Sequence, residues 1–426
     1  MSEQETTVAN WPGLTRNRLR SASTSAAKSL YSWIVRWKYA KRLGHPPKGD
    51  GPRGMLVIRT DAIGDFILFL PALGHLRRTY PNETIALLVD EQVANLAREW
   101  SSADEVLTCN MQRYRRELSY RFRVIEALRR RKFRMAIYPA HSREPNADEI
   151  LSCCGAKKRI ARAGDLNNIR ASVKRKNNAY FTRIVSSRPE IISEVERNRE
   201  FVEQLTGRQL SANDSLPRIT VTEGQMQDAR QLLLREGVEP NIDLQVVLFP
   251  GASNGIRAWS AERFAELGDR IARTYGARIL ICGSPSDRDT EGAVASGMST
   301  PVVRFAGKTS LIQLAAILRQ SALYIGSETG PLHLAAAVGT PTMCILGGGH
   351  FGRFYPYGDL NRHRMVFQKM DCYQCNWQCI YDTVRCVQDI SCDAVWRETQ
   401  GMMEEVVLPT TGPKFAESGT KESTRR

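Results

Sequence analysis

The sequence predicts an α/β protein with two doubly wound parallel-sheet domains that face a central cleft. The chain has 426 residues, which is too long for one small core. Short apolar runs alternate with helix-like segments from residue 55 onward, and the same alternation restarts after Pro240. The mean hydropathy is −0.35, and no apolar stretch reaches the ~18 residues of a spanning helix, which excludes an integral membrane protein.

The first domain is predicted over residues 55-238. Its early part alternates apolar strands with helices, which is typical of a parallel sheet covered on both faces. The predicted strands are Met55–Arg59, Ile85–Val89, Glu105–Thr108 and Met135–Tyr138, and helices follow the first strand through about Tyr80 and then cover Glu91–Trp100 and Arg115–Lys132.

The second domain is predicted over residues 239-408. Its predicted strands are Val246–Phe249, Ile279–Cys282, Val302–Phe305, Leu323–Ile325 and Thr342–Leu346, and its predicted helices are Ala261–Thr274, Asp287–Ala295, Leu311–Arg319 and Pro331–Val338. Ligands of open α/β sheets bind beyond the carboxyl ends of the strands. The sequence therefore favours an enzyme whose site lies in a cleft.

The two ends of the chain differ from the domains in composition. Residues 1-54 are Ser/Thr-rich and basic and end in a Pro/Gly linker, which predicts a flexible arm. Inside this arm, Trp33 and Trp37 stand among basic residues, and this pattern favours a short amphipathic helix on an anionic membrane surface. The alternative is an arm packed on its own domain. Residues 409-426 are polar and charged and predict a disordered tail.

The net charge of +15 is concentrated in the N-terminal half of the chain. Residues 1–54, 113–134 and 157–188 together carry +24 in 108 residues, so the remainder nets −9. Solvated helix faces explain single runs of this kind, but three runs in one half indicate a basic surface. A nucleic-acid binder would share the high charge, yet no recognition motif accompanies it, so no nucleic-acid partner is predicted.

The ten cysteines bear on the compartment and on a metal site. No hydrophobic signal core precedes a small-residue cleavage site at the N-terminus, so a cytoplasmic location is expected. Five cysteines fall between residues 372 and 392, a stretch that we call the cysteine segment. Their spacing suits a structural zinc site made by Cys372, Cys375, Cys379 and Cys386, with Cys392 as an alternative ligand. An iron–sulfur cluster and unmetallated thiols are the other interpretations.

Three strand–loop–helix junctions carry candidate site residues. The first strand ends in Arg59 and leads to Gly64 and Asp65, where the carboxylate is either a helix cap or a general base. The loop from Phe249 to Ser260 places Ser253 and Arg257 directly after a strand, where a guanidinium and backbone amides can hold phosphate. The third junction has Pro331 at the first helical position and His333 in the first turn, and it forms a further anion site.

These residues resemble the family 9 glycosyltransferases, the heptosyltransferases of lipopolysaccharide core assembly. Four segments carry the resemblance in the family's order: Thr60–Asp65 with Leu70–Leu73, Phe249–Trp259 with Arg263–Leu267, Ala306–Leu311, and Ser327–Ala337. The resemblance covers about residues 55 to 350.

The resemblance implies a GT-B fold of two Rossmann-like domains, with the acceptor bound by the first domain and the nucleotide sugar by the second. It implies inverting transfer without a catalytic cofactor or metal, from a nucleotide sugar, most commonly ADP-heptose, to a phosphorylated glycolipid such as the lipopolysaccharide core. Asp65 matches the family's catalytic base, and Arg59 and Gly64 stand on the acceptor side. The positions that match donor contacts are Ser253, Arg257, Lys308, Thr309, Glu328, Thr329, Gly330 and His333.

Two departures from the family pattern affect the donor side. Glu328 stands where the family commonly has Asp, and Arg257 stands where it commonly has Lys. A different hexose donor therefore stays open, as does a nucleotide-sugar epimerase of the same fold. The acceptor is a membrane lipid and the first domain is basic, so the enzyme is expected at the inner face of the cytoplasmic membrane as a peripheral protein.

Overall fold

The computed structural model describes residues 30–39, 54–240, 243–252 and 255–411. Most of the predicted arm 1–54 and of the predicted tail 409–426 lies outside the described residues, as does Ser253. Among the described residues there is no helix that is both long and apolar enough to cross a bilayer.

The strands fall into two groups along the chain. The first group is β1 Met55–Arg59, β2 Ile85–Asp90, β3 Glu105–Cys109, β4 Met135–Tyr138, β5 Lys158–Arg162 and β6 Arg183–Val185. The second group is β7 Gln245–Phe249, β8 Arg278–Ile281, β9 Val302–Arg304, β10 Leu323–Ser327, β11 Thr342–Ile345 and β12 His363–Val366.

Helices connect almost every pair of successive strands. Residues 30–39 are helical and are called α1. The others are α2 Ile63–Thr79, α3 Ala94–Trp100, α4 Met111–Arg116, α5 Leu118–Arg130, α6 Pro145–Cys153, α7 Ala171–Asn178, α8 Glu194–Thr206, α9 Glu223–Arg235, α10 Ala261–Tyr275, α11 Arg288–Gly297, α12 Leu311–Gln320, α13 Gly330–Ala337, α14 Arg385–Gln388, α15 Cys392–Met402 and α16 Leu408–Thr411.

The strands form two six-stranded sheets. Parallel pairing joins β4 to β1 and β5 in the first sheet and all neighbouring strands of the second sheet. The strand orders are β3-β2-β1-β4-β5-β6 and β12-β11-β10-β7-β8-β9. In the first sheet Met55 is paired with Met135 and Ile137 with Ile160, and in the second sheet Leu248 is paired with Ile281. This topology confirms the predicted α/β class.

The central strands are buried along their whole length, as parallel strands covered by helices on both faces must be. Every residue of β1, β4, β7 and β10 is buried. The core of the second sheet packs the buried apolar faces of α10 and α15 against these strands, with Trp259 and Phe264 in edge-to-face contact at 5.0 Å between ring centroids. These runs of apolar residues are what made the strands predictable.

One predicted helix differs from the structure. The segment Arg115–Lys132 is divided between α4 and α5, because Glu117 has extended backbone angles of φ −113° and ψ 109°. Asn110 caps α4 by accepting a hydrogen bond from the Arg113 amide at 2.9 Å. The interruption brings Tyr114 and Arg121 into the buried interior, where the Arg121 Nε donates to the Tyr114 carbonyl at 2.6 Å.

By their internal contacts, the described residues form two compact units. The first unit comes from Met1–Thr60 and Thr108–Ile184, and the second comes from Asp61–Leu107 and Val185–Arg426. The predicted boundary between residues 238 and 239 stays a prediction.

Candidate active site

The second sheet has a point at which the strand order reverses. From β7 the chain continues through β8 to β9 on one side, and it returns to place β10 on the other side of β7. Phe249 at the end of β7 is paired with Gly326 of β10. The loops that leave these two strands diverge, and such a reversal is where open α/β sheets bind ligands.

The loop after β10 leads directly into α13. Thr329 is the N-cap residue, with an extended backbone at φ −141° and ψ 174°, and its side chain does not cap the helix. Pro331 occupies the first turn, where its missing N–H costs nothing. The amides of this turn and the helix dipole give this end of α13 a positive potential, which suits the anion site that the sequence predicts there.

Glu328 lies at the start of this loop and is 7% exposed. Both of its carboxylate oxygens are buried without a hydrogen-bond partner in the part of the chain that the structure describes. The pKa of this carboxyl is raised to about 8, because burial outweighs the lowering by Arg257 and Arg353, and Asp65 adds a smaller rise. The side chain is therefore mostly protonated at neutral pH.

Arg257 ends a short 3-10 turn, Gly255–Arg257, in the loop after β7. Its guanidinium carbon lies 4.6 Å from the ring centroid of Trp377, in a cation–π contact. Its Nε is buried and has no hydrogen-bond partner among the described residues. Burial lowers the pKa of this guanidinium, and the nearby Glu328 and Asp65 raise it. A half-buried arginine with a donor to spare is a suitable partner for a diphosphate.

Asp65 lies in the first turn of α2 and belongs to the same compact unit as Arg257 and Glu328. The N-cap residue of α2 is Ala62, so the simple alternative that Asp65 is the N-cap is wrong. The carboxylate is half-buried and lies within electrostatic reach of both Arg257 and Glu328. The site thus combines a carboxylate, a guanidinium and a largely neutral carboxyl.

The first turns of α2 and α13 pack closely against each other. A Cβ atom at Gly64 would lie 2.7 Å from the His333 Cδ2, and one at Gly330 would lie 3.0 Å from the Ile63 Cβ. Neither Gly64 nor Gly330 has a positive φ, so glycine is required at these positions by the close approach of the two helices and not by the backbone conformation. The packing holds Asp65 next to the anion site of α13.

His333 is buried against the first turn of α2 and against Tyr357. The distance from its Nδ1 to the Tyr357 hydroxyl is 3.1 Å, and the two rings stack at 15° with centroids 5.8 Å apart. Burial lowers the pKa of His333 to about 4. The imidazole is therefore neutral at pH 7, and its tautomer sets which of the two groups donates in the hydrogen bond between Nδ1 and the Tyr357 hydroxyl.

The other predicted donor and acceptor positions are Lys308, Thr309 and Arg59. Lys308 forms an ion pair with Glu236 at 3.2 Å on the surface, and Thr309 follows it in the loop after β9. Arg59 is buried at the end of β1 and belongs to the other compact unit. Their roles stay predictions.

The cysteine segment contributes both thiols and an aromatic ring. Cys372, Cys375, Cys379 and Cys386 line one small cavity of about 10 Å³, and all four are free thiols. Cys386 accepts a hydrogen bond from the Gly348 amide at 3.3 Å, whereas Cys392 lies apart at the start of α15. In the described part of the chain, no three of these thiols lie close enough together to share a metal ion. The zinc site stays a prediction.

Sequence reasoning missed three residues of this site. Trp377 contacts Arg257, Tyr357 contacts His333, and Arg353 lies near Glu328 while its Nε donates to Glu194 at 2.7 Å. All three lie far along the chain from their partners, so no spacing pattern connects them. Trp377 stood inside the cysteine segment that the sequence did single out.

Comparison with known proteins places the chain in a family. Residues 159–384, more than half of the chain, match the sequence model of glycosyltransferase family 9 (heptosyltransferase). Lipopolysaccharide heptosyltransferase 3 of Escherichia coli K12 is 33% identical over 107 residues, which cover 25% of this chain and 31% of that protein. Lipopolysaccharide core heptosyltransferase OpsX of Haemophilus influenzae is 29% identical over 127 residues, 29% of this chain and 36% of that protein. The matched part of the chain spans about a third of the length of these relatives.

Solved structures show the same fold. A glycosyl transferase family 9 protein from Veillonella parvula aligns with a TM-score of 0.68 at 20% identity, covering 84% of this chain and 99% of that chain. E. coli ADP-heptose heptosyltransferase II aligns with a TM-score of 0.61 at 14% identity, covering 83% and 99%. The E. coli heptosyltransferase WaaC with ADP-2-deoxy-2-fluoro heptose aligns with a TM-score of 0.58 at 18% identity, covering 81% of this chain and 98% of that chain. The GT-B fold implied by the sequence is confirmed.

Proposed function

Because this chain belongs to glycosyltransferase family 9, the heptosyltransferase family, we propose that it transfers a heptose from ADP-heptose to a phosphorylated glycolipid acceptor of the lipopolysaccharide-core type. The proposal rests on one observation: Asp65 lies near Arg257 and near the first turn of α13, within one compact unit. A base and an anion site are the two things that such a transfer requires.

The chemistry assigned to Asp65 is proton removal from the acceptor hydroxyl. As the proton passes to the carboxylate, the acceptor oxygen forms a bond to the anomeric carbon of the donor sugar. The bond from that carbon to the diphosphate oxygen breaks, and the nucleoside diphosphate leaves with the electron pair. Attack from the face opposite the leaving group inverts the sugar carbon.

The charge that develops on the diphosphate is met by Arg257 and by the amides of α13. A guanidinium can bind two phosphate oxygens at once, and its buried position strengthens the interaction. The protonated Glu328 supports this assignment, because a neutral carboxyl beside the site does not repel the diphosphate and can donate a hydrogen bond. These groups supply the stabilisation that a metal ion gives other transferases, and the proposal is therefore metal-independent.

The acceptor side of the proposal rests on charge. The three basic runs, 1–54, 113–134 and 157–188, carry +24, which suits attachment to the anionic inner face of the cytoplasmic membrane, the surface at which a lipid acceptor is presented. We therefore place the enzyme at that face as a peripheral protein.

The central experiment measures donor binding and transfer separately. Asp65→Asn is expected to bind ADP-heptose nearly as well as the wild type and to lower kcat by roughly 10²–10⁴-fold, the usual contribution of a general base. The matched control is Asp90→Asn, since Asp90 is also a carboxylate at a strand–helix junction of the same unit and asparagine caps equally well. Near-normal turnover of Asp65→Asn would refute the assignment.

Donor identity is tested by thermal protection with ADP, UDP and GDP sugars. The correct nucleotide sugar stabilises the folded protein by RT ln(1 + [L]/Kd) and thereby raises its melting temperature, and we expect ADP-heptose to do so. Incubation with donor alone separates the transferase from the epimerase, because an epimerase converts the nucleotide sugar without any acceptor. Isomerised donor in the absence of acceptor would contradict the proposed function.

A further inference from the structure

A groove in the first compact unit lies beside helix α1. It has a volume of about 810 Å³ and is lined by α1, the start of α6, and α7 with the loop before it. Its basic lining residues are Arg36, Arg115, Arg170 and Lys176, and its aromatic ones are Trp33, Trp37 and Tyr180. We call it the α1 groove. The catalytic chemistry described above uses none of these residues.

Helix α1 is fixed to its unit along one face. Val35 and Tyr39 are fully buried, and the Tyr39 hydroxyl donates to the Glu126 carboxylate at 2.7 Å. The Arg121 guanidinium donates to the Ser32 hydroxyl at 3.2 Å. The amphipathic helix predicted from the sequence is therefore present, and its inner face packs on its own unit. A fixed helix holds its outer residues in one place.

The outer face of α1 presents an apolar stripe to solvent. Leu30, Trp33 and Trp37 are 53%, 58% and 69% exposed and follow the three- and four-residue spacing of one helix face. The rings of Trp33 and Trp37 stack with centroids 6.5 Å apart. Two exposed tryptophans side by side form an unusual surface for a water-facing helix. Tryptophan, with its apolar ring and polar N–H, favours the boundary between lipid and water.

The groove beside this stripe carries uncompensated positive charge. Arg115 is paired with Glu144 at 2.8 Å, but Arg170 and Lys176 have no carboxylate partner in the described segments. Arg36 donates to the neutral amide oxygen of Asn177 at 2.7 Å and lies over the Tyr180 ring at 5.0 Å. Three cations therefore face a concave surface next to exposed tryptophans, and this combination matches a phosphate group at the surface of a bilayer.

We propose that the α1 groove binds phosphate headgroups of anionic membrane lipid while Trp33 and Trp37 enter the interfacial layer. The inference deepens the membrane association within the proposed function by naming its residues. It concerns bulk lipid rather than the sugar acceptor. Phosphate oxygens accept hydrogen bonds from Arg170, Lys176 and Arg36, and the tryptophan stripe supplies binding that salt does not screen.

The test is flotation of the full chain with vesicles of phosphatidylcholine alone or with added phosphatidylglycerol, without donor or acceptor. Each basic residue near an anionic surface strengthens binding about five-fold, so Arg170→Ala/Lys176→Ala is expected to lower the partition coefficient about 30-fold. The matched control is Lys157→Ala/Lys158→Ala, which removes the same charge from exposed lysines of the same unit that do not line the groove. An equal loss in both variants would show bulk attraction and overturn the proposal.

The tryptophans have their own readout. Brominated phosphatidylglycerol is expected to quench the fluorescence of the wild type, and Trp33→Phe/Trp37→Phe is expected to lose most of that quenching. Trp33→Ala/Trp37→Ala is expected to release the protein from vesicles even at low salt, with exposed Leu360→Ala as the control. Circular dichroism of each variant confirms folding, and the phenylalanine pair keeps the test valid if the alanine pair unfolds. Quenching that persists without both tryptophans would refute insertion of this stripe.

Two further outcomes separate this inference from the proposed function. Turnover with a delipidated, water-soluble acceptor is expected to be unchanged in the groove variants, because these residues lie outside the catalytic cluster. If Arg170→Ala/Lys176→Ala instead loses affinity for that acceptor while vesicle binding stays intact, the groove is an acceptor subsite and the proposal fails. Vesicle binding with the expected variant effects but without transfer activity would refute the proposed function and leave this inference standing.

Discussion

Glu328 makes a measurable prediction about folding stability. The carboxyl is buried without a hydrogen-bond partner among the described residues, and its pKa rises from 4.5 to about 8 in the folded chain. The folded state therefore keeps a proton that the unfolded chain releases between these two pH values. Because the folded state binds more protons there, stability falls as pH rises from about 4.5 to about 8 and then levels off.

The substitution Glu328→Gln removes this dependence and keeps a neutral side chain of the same shape. Each pKa unit corresponds to ~1.4 kcal/mol, so the stability of the variant relative to the wild type should grow by about 3 kcal/mol between roughly pH 5 and pH 8. The prediction concerns the change of this stability difference with pH and not its absolute value. At low pH both side chains are neutral, and their buried polar atoms are equally poorly solvated.

The assay is urea unfolding of both proteins across this pH range, in the absence of nucleotide. The control is Glu239→Gln at an exposed carboxylate, where the difference from the wild type should stay flat because the side chain is hydrated in both states. A flat difference for Glu328→Gln as well would refute the reasoning. A difference that shrinks with rising pH would show that Arg257 holds the carboxyl ionised.

Three further predictions test the site and the cysteine segment. Arg257→Ala is expected to weaken nucleoside diphosphate binding by about 1.5–3 kcal/mol, the range for a charge-assisted hydrogen bond, and unchanged calorimetric affinity would show that the loop points elsewhere. Gly64→Ala is expected to destabilise the fold by ~1–3 kcal/mol, because its Cβ would lie 2.7 Å from a buried ring atom. The control is Gly224→Ala in helix α9, where no atom lies within 4 Å of the new Cβ and the change should stabilise the fold by up to ~1 kcal/mol. Equal thermal shifts in the two variants would contradict the close packing. We propose that the cysteine segment binds zinc, so elemental analysis should find metal that Cys375→Ser loses, and a metal-free wild type purified without chelator would refute the site.

The sequence predicted the fold and the polar residues of the site because both depend on local patterns. Buried strands such as β1 and β7 are mostly apolar runs, and the strand–loop–helix junctions that hold Asp65 and Arg257 follow them directly. The strand order of the second sheet places the end of β7 beside β10, the strand that leads to Glu328, and the Asp65 junction reaches this site through the packing of α2 on α13.

The middle of the first unit was harder to predict for a physical reason. Strand β5 has three basic residues in its five positions, so it shows no apolar run. Arg159 is nevertheless buried, because its guanidinium donates to the carbonyls of Ala156 and Tyr180, each at 2.7 Å. A buried charge of this kind is stable only when it is hydrogen-bonded, and a partner such as Tyr180, which lies 21 residues away, is not revealed by single-sequence patterns.

In the proposed function Arg257 binds the donor, and its contact with Trp377 then makes donor affinity depend on the state of the cysteine segment. The part of the segment that holds Trp377 has no regular secondary structure, and the bonds that hold it include those from the Gln374 and Asn376 amides to the carbonyls of Gly348 and Gly349. Segments of this kind open at a lower free energy than the core does. The apparent dissociation constant for the donor equals the intrinsic constant divided by the fraction of molecules in which the segment is closed. Whatever closes it, such as a bound metal, would tighten donor binding without touching the donor.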